Sequence, residues 1–507
     1  QLLSQPLLPS FLSSHNYHKQ TEALVRLLHP PAADGDDASA ASAYRVLVLD
    51  AFTKDVVAPL LRVGDLRRHG VSLHLQLRAP RDPIPDAPAV YFVSGKDDEE
   101  SSTSSQPSVV DVIAGDAARG LYSKMHLNFC GGLARGGLER LAAAVVAADA
   151  SNLSATTVPS NNGAPTPPTP PPPSALSRIG RVVDQHLAFV ALEPGLFTLR
   201  QRRCYVSLHD PGAPPSAVEA AVSSVAEGLF SALATLGVTP LIRCPKGGPA
   251  QAVAVALDAR LREAARGGAG GGGGAAAAGA GAAALAAAAA SSSSAGASRP
   301  LLVIFDRSVD MAACLQHGWT YKPLVADVLG LELNRVALPQ SGSGGENGNG
   351  ATTAATATKT VEVGPGDFFW EANGSSPFPA VAEEVDAQLK KYKAAVEEVN
   401  RNAASGGGNA SSSTPVVAAL QNPSSSSSTA SLAAAVASLP ELAVRKRTLD
   451  RHTNIATQLL HAIKARGLDA WHATEEECVS NIGGGLGSAA GAAGANLGAA
   501  AAAAAAA

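Results

Sequence analysis

The sequence has few cysteines, no excess of basic charge and no long run of strongly hydrophobic residues, and each lack excludes a class of protein. The five cysteines are dispersed and form no C-x-x-C pair, which disfavours a disulfide framework and predicts a reducing compartment. The 39 basic residues are slightly outnumbered by 43 acidic ones, so the broad basic surface of a nucleic-acid binder is not expected. The alanine runs near 275–290 and 499–507 are too weakly hydrophobic for a membrane span, and no signal-peptide pattern opens the chain. A soluble protein is therefore predicted.

The motifs of the common enzyme classes are also missing from the sequence. It contains no G-K-[ST] phosphate loop, no H-E-x-x-H metal motif and no G-x-S-x-G nucleophile turn. The glycine-rich run at 267–274 follows no predicted strand, so it does not fit a dinucleotide-binding loop. We therefore predict no cofactor, no metal site and no catalytic residue.

Two aspartates leave one enzymatic alternative open. Asp50 and Asp306 each end a predicted strand, which is where a phosphatase with an aspartyl nucleophile carries that group. Such an enzyme also needs a second carboxylate two residues further on, and those positions are Phe52 and Ser308. We therefore favour a helix-capping role for both aspartates over a phosphatase-like α/β hydrolase.

Five segments of low complexity divide the chain. They are rich in Pro, Gly, Ala or Ser and are not expected to build a core. The proline-rich tract PTPPTPPPP in the first of them is expected to act as a linker, with a polyproline ligand for a partner domain as the alternative. The rest of the chain is long enough for two or three domains of about 100–200 residues each. The five segments span residues 151–175, 264–298, 337–360, 403–432 and 480–507.

Residues 1–150 show the pattern of an α/β domain. Mainly apolar runs alternate with segments of helical spacing, which indicates a parallel sheet covered on both faces. Strands are predicted at 44–50, 71–77, 89–93 and 125–129, and helices near 109–113 and 138–146.

A second α/β domain is predicted over residues 176–336. The run LLVIF at 301–305 is expected to be a buried strand. Predicted elements flank the Gly/Ala segment 264–298 on both sides, so we interpret that segment as an insert within this domain. Helices are expected at 176–190, 217–236, 250–265 and 321–333.

The region 361–475 is predicted to be a helical hairpin. Apolar residues recur at helical spacing from 377 to 402 and, less regularly, from 438 to 466. A Ser/Gly-rich insert at 403–432, predicted to be disordered, separates the two helices. Long helices with a charged outer face often present a surface to another helix.

Several blocks of the sequence resemble the Sec/Munc (SM) family of syntaxin-binding proteins. The segment at 47–74 begins LVLDAFTKDVVAPLL, in the wording of the family's Sly-type ER–Golgi branch, and the segment at 121–142 is LYSKMHLNFCGGLARGGLERLA. The stretch at 303–336 contains the family's D-R-x-x-D turn as DRSVD and its T-Y-x-x-L-x-x-D helix as TYKPLVAD. Together with the hairpin, similar blocks follow in the family's order from about residue 44 to 475.

This resemblance implies a fold, a function and a set of partners. The fold is an arch of two parallel-sheet α/β domains with a mostly helical third domain inserted into the second. The function is that of a non-enzymatic regulator of SNARE-mediated vesicle fusion, which binds an ER–Golgi syntaxin and promotes assembly of the SNARE bundle. The helical hairpin would contact the vesicle SNARE. The protein would be cytoplasmic and associated with ER and Golgi membranes only through its partners, without nucleic acid.

The resemblance also implies a binding pocket on the first domain. In the Sly-type branch a short N-terminal peptide of the syntaxin docks in an apolar pocket, which by position falls on the strand at 125–129 and the helices beside it. The alternative is that half of the candidate residues belong to the core, because the pattern alone does not separate the two faces of a helix. The residues expected to line the pocket are Ile113, Leu127, Phe129, Leu138, Leu141, Ala142 and Val145.

Two departures from the family pattern carry expectations of their own. The insert 403–432 expands the loop of the hairpin, near the surface expected to contact the vesicle SNARE. The sequence enters GGGLGSAAGAAG and poly-alanine at 483–507, where family members continue and complete the second domain. We therefore expect the second domain to lack its closing strands and to be poorly stable.

Overall fold

The computed structural model describes residues 15–30, 44–95, 107–133, 135–156, 174–269, 299–311, 314, 316–339, 358–405 and 426–484. The chain divides into two units, Gln1–Val309 and Asp310–Ala507, and each is described by itself. The proline-rich tract, most of the Gly/Ala insert and the alanine-rich tail from residue 485 lie outside the described residues.

A five-stranded parallel sheet forms the centre of the first unit. Its strands are β1 (Arg45–Leu49), β2 (Val71–Gln76), β3 (Ala89–Val93), β4 (Met125–Phe129) and β5 (Ile179–Asp184). They lie in the order β2-β1-β3-β4-β5, and every neighbouring pair is parallel. The first four lie where the sequence predicts strands, and the predicted parallel-sheet α/β fold is confirmed.

Helices cover both faces of this sheet. They are α1 (His15–Leu28), α2 (Ala51–Val57), α3 (Val63–Arg68), α4 (Val109–Arg119), α5 (Arg135–Thr156) and α6 (Ala175–Arg178). Because successive strand residues point to opposite faces, Tyr91 and Phe129 enter one core with α4 and α5. Leu47 and Phe92 lie on the other face, beside leucines of α1 and α3, around a cavity of about 10 Å³.

The structure corrects the prediction of a helix over 176–190. That segment forms only the short helix α6 and then the strand β5, which pairs with β4 and lies beyond residue 150, the predicted end of the first domain. The β-branched residues Ile179, Val182 and Val183 favour a strand, and the free edge of β4 supplies the partner. Such pairing between distant segments is not visible in local periodicity.

The rest of the first unit contains a hairpin, three helices and a small sheet. Helix α8 (Pro215–Leu236) and helix α9 (Gly248–Ala269) confirm the predicted helices over 217–236 and 250–265. By length and composition, helix α8 could also cross a membrane, and 44% of its most apolar stretch is buried inside the protein. Its residue Phe230 packs against Leu257 of α9. The elements are β6 (Val190–Glu193), β7 (Leu196–Thr198), α7 (Cys204–His209), α8 (Pro215–Leu236), β8 (Leu241–Arg243), α9 (Gly248–Ala269) and β9 (Leu301–Val303).

The segment predicted as a buried strand at 301–305 is a strand but is not buried. Strand β9 pairs in parallel with β8 alone, and Leu301 and Phe305 are 60% and 68% exposed. Leu302 and Ile304 alternate with them and pack against the core of α8 and α9. Among the described residues, then, only one face of this two-stranded sheet is covered.

The second unit begins with a short helix and a three-stranded antiparallel sheet. Helix α10 (Tyr321–Val325) continues as a π-helical turn, Ala326–Gly330, and the strands are β10 (Leu331–Glu332), β11 (Arg335–Pro339) and β12 (Thr358–Glu362). The predicted helix over 321–333 therefore ends early. It stops at Gly330, whose φ is +78°, and Leu333 and Asn334 also have positive φ in the tight turn between β10 and β11.

Four further helices complete the second unit and include the predicted hairpin. They are α11 (Phe368–Asn373), α12 (Phe378–Ser405), α13 (Ser426–Arg466) and α14 (Leu468–Gly484). Val381 and Val385 of α12 share a core with Leu449 and Ile455 of α13. Both helices extend into the insert predicted as disordered at 403–432, to Ser405 and from Ser426, because an established helix propagates cooperatively into neighbouring residues.

Candidate functional site

The structure separates the seven candidate pocket residues into two groups. Leu138, on the outer side of α5, is 46% exposed, and Ala142 one turn later is exposed as well. Val146, another turn along, is 58% exposed and was not among the predicted residues, although its i, i+4 spacing to Ala142 is visible in the sequence. We call Leu138, Ala142 and Val146 the α5 stripe. The remaining candidates are core residues buried between the sheet and the helices α4 and α5: Ile113, Leu127, Phe129, Leu141 and Val145.

Two sets of contacts fix the orientation of α5: its inner face packs on the sheet, and its C-terminal part is hydrogen-bonded to α6. Leu141 and Val145 are 3% and 1% exposed and fix the inner face against the sheet. Near the end of the helix, Asp149 accepts hydrogen bonds from the backbone N–H groups of Ala175 and Leu176, the latter at 3.2 Å. With one face buried and one end tied to α6, the α5 stripe must face outward.

A second apolar surface lies on the helical hairpin. Phe368 at the start of α11 and four residues of α13 line an open groove of about 450 Å³; the four are Pro440, Glu441, Val444 and Arg445. We call this the hairpin groove. The Arg445 guanidinium lies 5.6 Å from the centre of the Phe368 ring and donates to Gln388 Oε1 of α12 at 2.6 Å. Helical periodicity predicted the hairpin but not the groove, because Phe368 is far from α13 in sequence.

A buried polar cluster lies beside this groove. The Asp367 carboxylate caps α11 by accepting from the backbone N–H groups of Phe369 and Trp370, each at 3.1 Å. It also accepts from Arg451 Nη1 at 2.7 Å and from His452 Nε2 at 3.1 Å. His452 is fully buried.

Proton positions in this cluster follow from its electrostatics. Burial alone would raise the pKa of Asp367, but hydrogen bonds from His452 and the Arg451 charge outweigh it and lower that pKa below its ordinary value. Burial, with the Asp367 charge, raises the pKa of Tyr321. An ionised Asp367 can only accept, so His452 donates to it through Nε2, and His452 Nδ1 shares a hydrogen bond of 2.9 Å with the Tyr321 hydroxyl. We call Tyr321, Asp367, Arg451 and His452 the polar node.

Asp50, the first of the two aspartates considered as a phosphatase nucleophile, is hydrogen-bonded to the protein backbone. Asp50 caps α2, accepting from Thr53 N and Thr53 Oγ1, each at 2.8 Å, and its other oxygen accepts from Ser94 N at 2.5 Å. Both carboxylate oxygens of this 6% exposed residue are therefore used by the fold. Its geometry is that of the predicted helix cap.

Asp306 lies directly before a single turn of 3₁₀ helix, Arg307–Val309. Its carboxylate accepts from Ser308 N at 2.8 Å and from Ser308 Oγ at 2.5 Å, and it pairs with His209 Nε2 at 2.9 Å. Burial would raise the pKa of Asp306, but these hydrogen bonds outweigh it and lower that pKa. Asp306 therefore caps the short helix that follows it, as predicted, and its bond to His209 also ties α7 to the end of β9.

Among the residues that the structure describes, no group of three or more His, Cys, Asp or Glu side chains is placed to hold a metal ion. The features that remain are an apolar stripe, an apolar groove and a polar node beside it. Together with the fold, they define an α/β and helical-hairpin protein whose candidate sites are surfaces suited to other polypeptides.

Comparison of the sequence with known proteins identifies the family. The family model described as the Sec1 family matches residues 45–489. The rice (Oryza sativa subsp. japonica) SEC1 family transport protein SLY1 is 40% identical over 469 residues, which are 90% of this chain and 63% of that protein. The human Sec1 family domain-containing protein 1 is 36% identical over 467 residues, 91% of this chain and 64% of that protein. The chain therefore spans just under two thirds of the length of these relatives.

Solved structures show the same relationship. The crystal structure of Sly1p in complex with an N-terminal peptide of Sed5p matches with a TM-score of 0.61 and 26% identity, covering 91% of this chain and 62% of that one. The SM protein Vps45 in complex with the Qa SNARE Tlg2 matches with a TM-score of 0.58 and 16% identity, covering 89% and 61%, and this shows the fold alone. The chain belongs to the Sec1 family, and the predicted resemblance to its Sly-type branch is confirmed.

Proposed function

We propose that this protein regulates SNARE-mediated membrane fusion between ER and Golgi by binding an ER–Golgi syntaxin and promoting assembly of the SNARE bundle. The observation that carries the proposal is the fold match to Sly1p bound to an N-terminal peptide of Sed5p, together with 40% identity to a relative named for transport. The proposed action needs binding and no catalysis. Holding two SNARE helices side by side removes part of the entropy cost of nucleating their bundle.

The α5 stripe is the proposed docking site for the N-terminal peptide of the syntaxin. Leu138, Ala142 and Val146 form an exposed apolar row on a helix whose other face is locked in the core. Apolar side chains of a short peptide would lie against this row. Burying one leucine-sized side chain contributes about 1.5–3 kcal/mol, so several such contacts would have to add up to a specific but reversible tether.

Peptide binding tests this site directly. A labelled N-terminal peptide from an ER–Golgi syntaxin is titrated with the protein while fluorescence anisotropy is measured. We expect saturable binding that Leu138→Lys weakens by at least about tenfold, which corresponds to a loss of about 1.4 kcal/mol. Val255→Lys is the matched control, because Val255 is a 63% exposed side chain on a different helix of the same unit.

Two outcomes would contradict this assignment. Binding that survives Leu138→Lys would move the peptide site away from α5. Absence of binding by the folded protein would remove recruitment through the first unit altogether and leave the hairpin as the remaining candidate.

The hairpin groove is the proposed contact for the vesicle SNARE. It offers a ring, a proline and Val444, which is 58% exposed, to an apolar side chain of a partner helix. Arg445 and Glu441 at its rim can pair with charges that flank such a side chain. Long helices with an open apolar groove are the usual means of binding another helix.

Substitutions on α13 distinguish this groove from the rest of the hairpin. Val444→Glu is expected to weaken binding of a vesicle-SNARE motif peptide by at least about tenfold. Leu460→Glu, at a residue 46% exposed on the same helix outside the groove lining, is the control. Equal losses in both variants would refute the groove.

The proposal also includes where the protein acts. We propose that it works in the cytoplasm and reaches ER and Golgi membranes only through its partners. A fluorescent fusion should concentrate at these membranes, and Leu138→Lys should disperse it. Membrane association that is unaffected by both Leu138→Lys and Val444→Glu would contradict recruitment through SNAREs.

A further inference from the structure

The polar node has residues close in sequence to both walls of the hairpin groove, the α11 wall and the α13 wall. Asp367 is the residue before Phe368, which forms one wall. Arg451 and His452 lie on α13 six and seven residues after Arg445 of the other wall, a distance of roughly 10 Å along a helix axis. The node therefore connects the same two helices that face each other across the groove.

The α11 wall depends on contacts of this kind. Helix α11 has only six residues, too few for a helix to persist without tertiary contacts. The Asp367 side chain caps the N-terminus of this helix and accepts hydrogen bonds from Arg451 and His452 of α13. The aromatic residues that follow also pack on His452, with ring centres 4.7 Å apart for Phe369 and 6.2 Å apart for Trp370.

A third element fixes the histidine. The Tyr321 hydroxyl of α10 bonds His452 Nδ1 at 2.9 Å, so both ring nitrogens of His452 are engaged and its ring orientation is determined. Asp367 is thus hydrogen-bonded to a histidine whose ring orientation is fixed. It is also paired with Arg451, whose side chain is 31% exposed and lies on the solvent side. The N-terminus of α11 is held at one place on α13.

We propose that Asp367, Arg451 and His452 are positioning residues for partner recognition: they hold Phe368 at the separation from Val444 and Arg445 that the groove requires. This inference rests on the proposed function of the groove as a SNARE contact. The positioning residues do not touch the partner. They act through the placement of the first residue of α11.

The first test measures the groove in the protein without a partner. Spin labels are placed at Ala372 on α11 and Lys446 on α13, both exposed. The labels are attached to unnatural amino acids, because the chain has five cysteines of its own. The label-to-label distance distribution should be narrow in the parent protein. It should broaden or shift in Arg451→Met, which removes only the partly exposed arm of the node, and more strongly in Asp367→Asn.

Arg447→Met is the matched control, since Arg447 is exposed on the same helix four residues before Arg451. It should leave the distribution unchanged. A distribution that is also unchanged in Arg451→Met and Asp367→Asn would overturn the positioning role. Because Arg451 is partly exposed, its variant keeps this test valid even if Asp367→Asn fails to fold.

The second test measures binding of the vesicle-SNARE motif peptide to the same variants. We expect Arg451→Met to weaken binding at least about fivefold relative to Arg447→Met, because a hydrogen bond to a charged group commonly changes an equilibrium by this factor or more. Arg451→Lys, which keeps the charge, should restore part of the affinity. Altered distances with unaltered affinity would overturn the role in recognition. Failure of the parent protein to bind the peptide would instead refute the groove's proposed function, while the distance measurement would still decide whether the node sets the groove.

Discussion

Truncating neighbouring leucines of α5 should have opposite consequences for stability and for binding. Leu141 is 3% exposed and lies in the core between the sheet, α4 and α5, whereas Leu138, one turn earlier, is 46% exposed. Truncation of a buried leucine to alanine costs about 2–5 kcal/mol, since transfer and cavity terms add. An exposed position usually changes stability by no more than about 0.5 kcal/mol. We therefore expect Leu141→Ala to destabilise the first unit strongly and Leu138→Ala to leave it stable.

The assay must report on the first unit alone. Intrinsic tryptophan fluorescence does not, because Trp319, Trp370 and Trp471 all belong to the second unit. Hydrogen exchange of the β4 amides, measured by mass spectrometry, reports the opening free energy of the sheet directly. Leu141→Ala should lower that free energy by about 2–5 kcal/mol.

The syntaxin peptide completes the comparison. Leu138→Ala should weaken peptide binding while β4 exchange stays at the parent rate. Equal exchange in the two alanine variants would refute the division of α5 into a core face and a binding face. This division would also be refuted if a folded Leu141→Ala variant lost more affinity for the peptide than Leu138→Ala does.

Three further predictions concern stability. Burial, with the nearby Arg45 charge, lowers the pKa of His29, and burial lowers that of His186, below the ordinary 6.5. The unfolded chain then binds protons first, so the first unit should lose stability as pH falls below about 6.5. Hydrogen exchange of the β4 amides, corrected for the intrinsic pH dependence of exchange, measures this, and an opening free energy unchanged down to pH 5.5 would contradict it. Asp50→Ala should cost about 1–3 kcal/mol through the lost cap and the lost bond to the part-buried backbone N–H of Ser94, and Asp50→Asn should cost less. Equal losses of opening free energy in the two variants, measured by β4 hydrogen exchange, would show that the charge, not the cap, matters. Phe305→Lys should leave the melting temperature within about two degrees of the parent, because the ring is 68% exposed; a large drop would mean that this face is covered.

The strands and the hairpin were accessible from sequence because their patterns are local. Apolar runs such as those of β1 and β3 are nearly complete strands by themselves, and α12 and α13 show apolar residues at helical spacing. Where a neighbour distant in sequence decides the structure, the pattern fails. Strand β5 exists because β4 offers an edge, and β9 stays exposed because only β8 flanks it among the described residues.

The candidate pocket shows the same division more sharply. The resemblance placed it on α4, β4 and α5, and the chain alone could not show that Leu127 and Phe129 point into the core while Leu138 points out. That choice depends on the side of α5 that the sheet covers. Periodicity gives the spacing of the two faces but not their identity.

By itself the sequence determined the family, the parallel-sheet character of the first unit and the presence of a long helical hairpin, because each rests on motifs or periodicities within short segments. Only the tertiary structure decided which residues form surfaces. The α5 stripe requires the sheet to cover the other face of its helix. The hairpin groove and the polar node require Phe368 and Asp367 to meet a helix more than seventy residues further along the chain, at Arg445 and Arg451. Contacts of that range depend on packing, and packing is settled only when the whole core is formed.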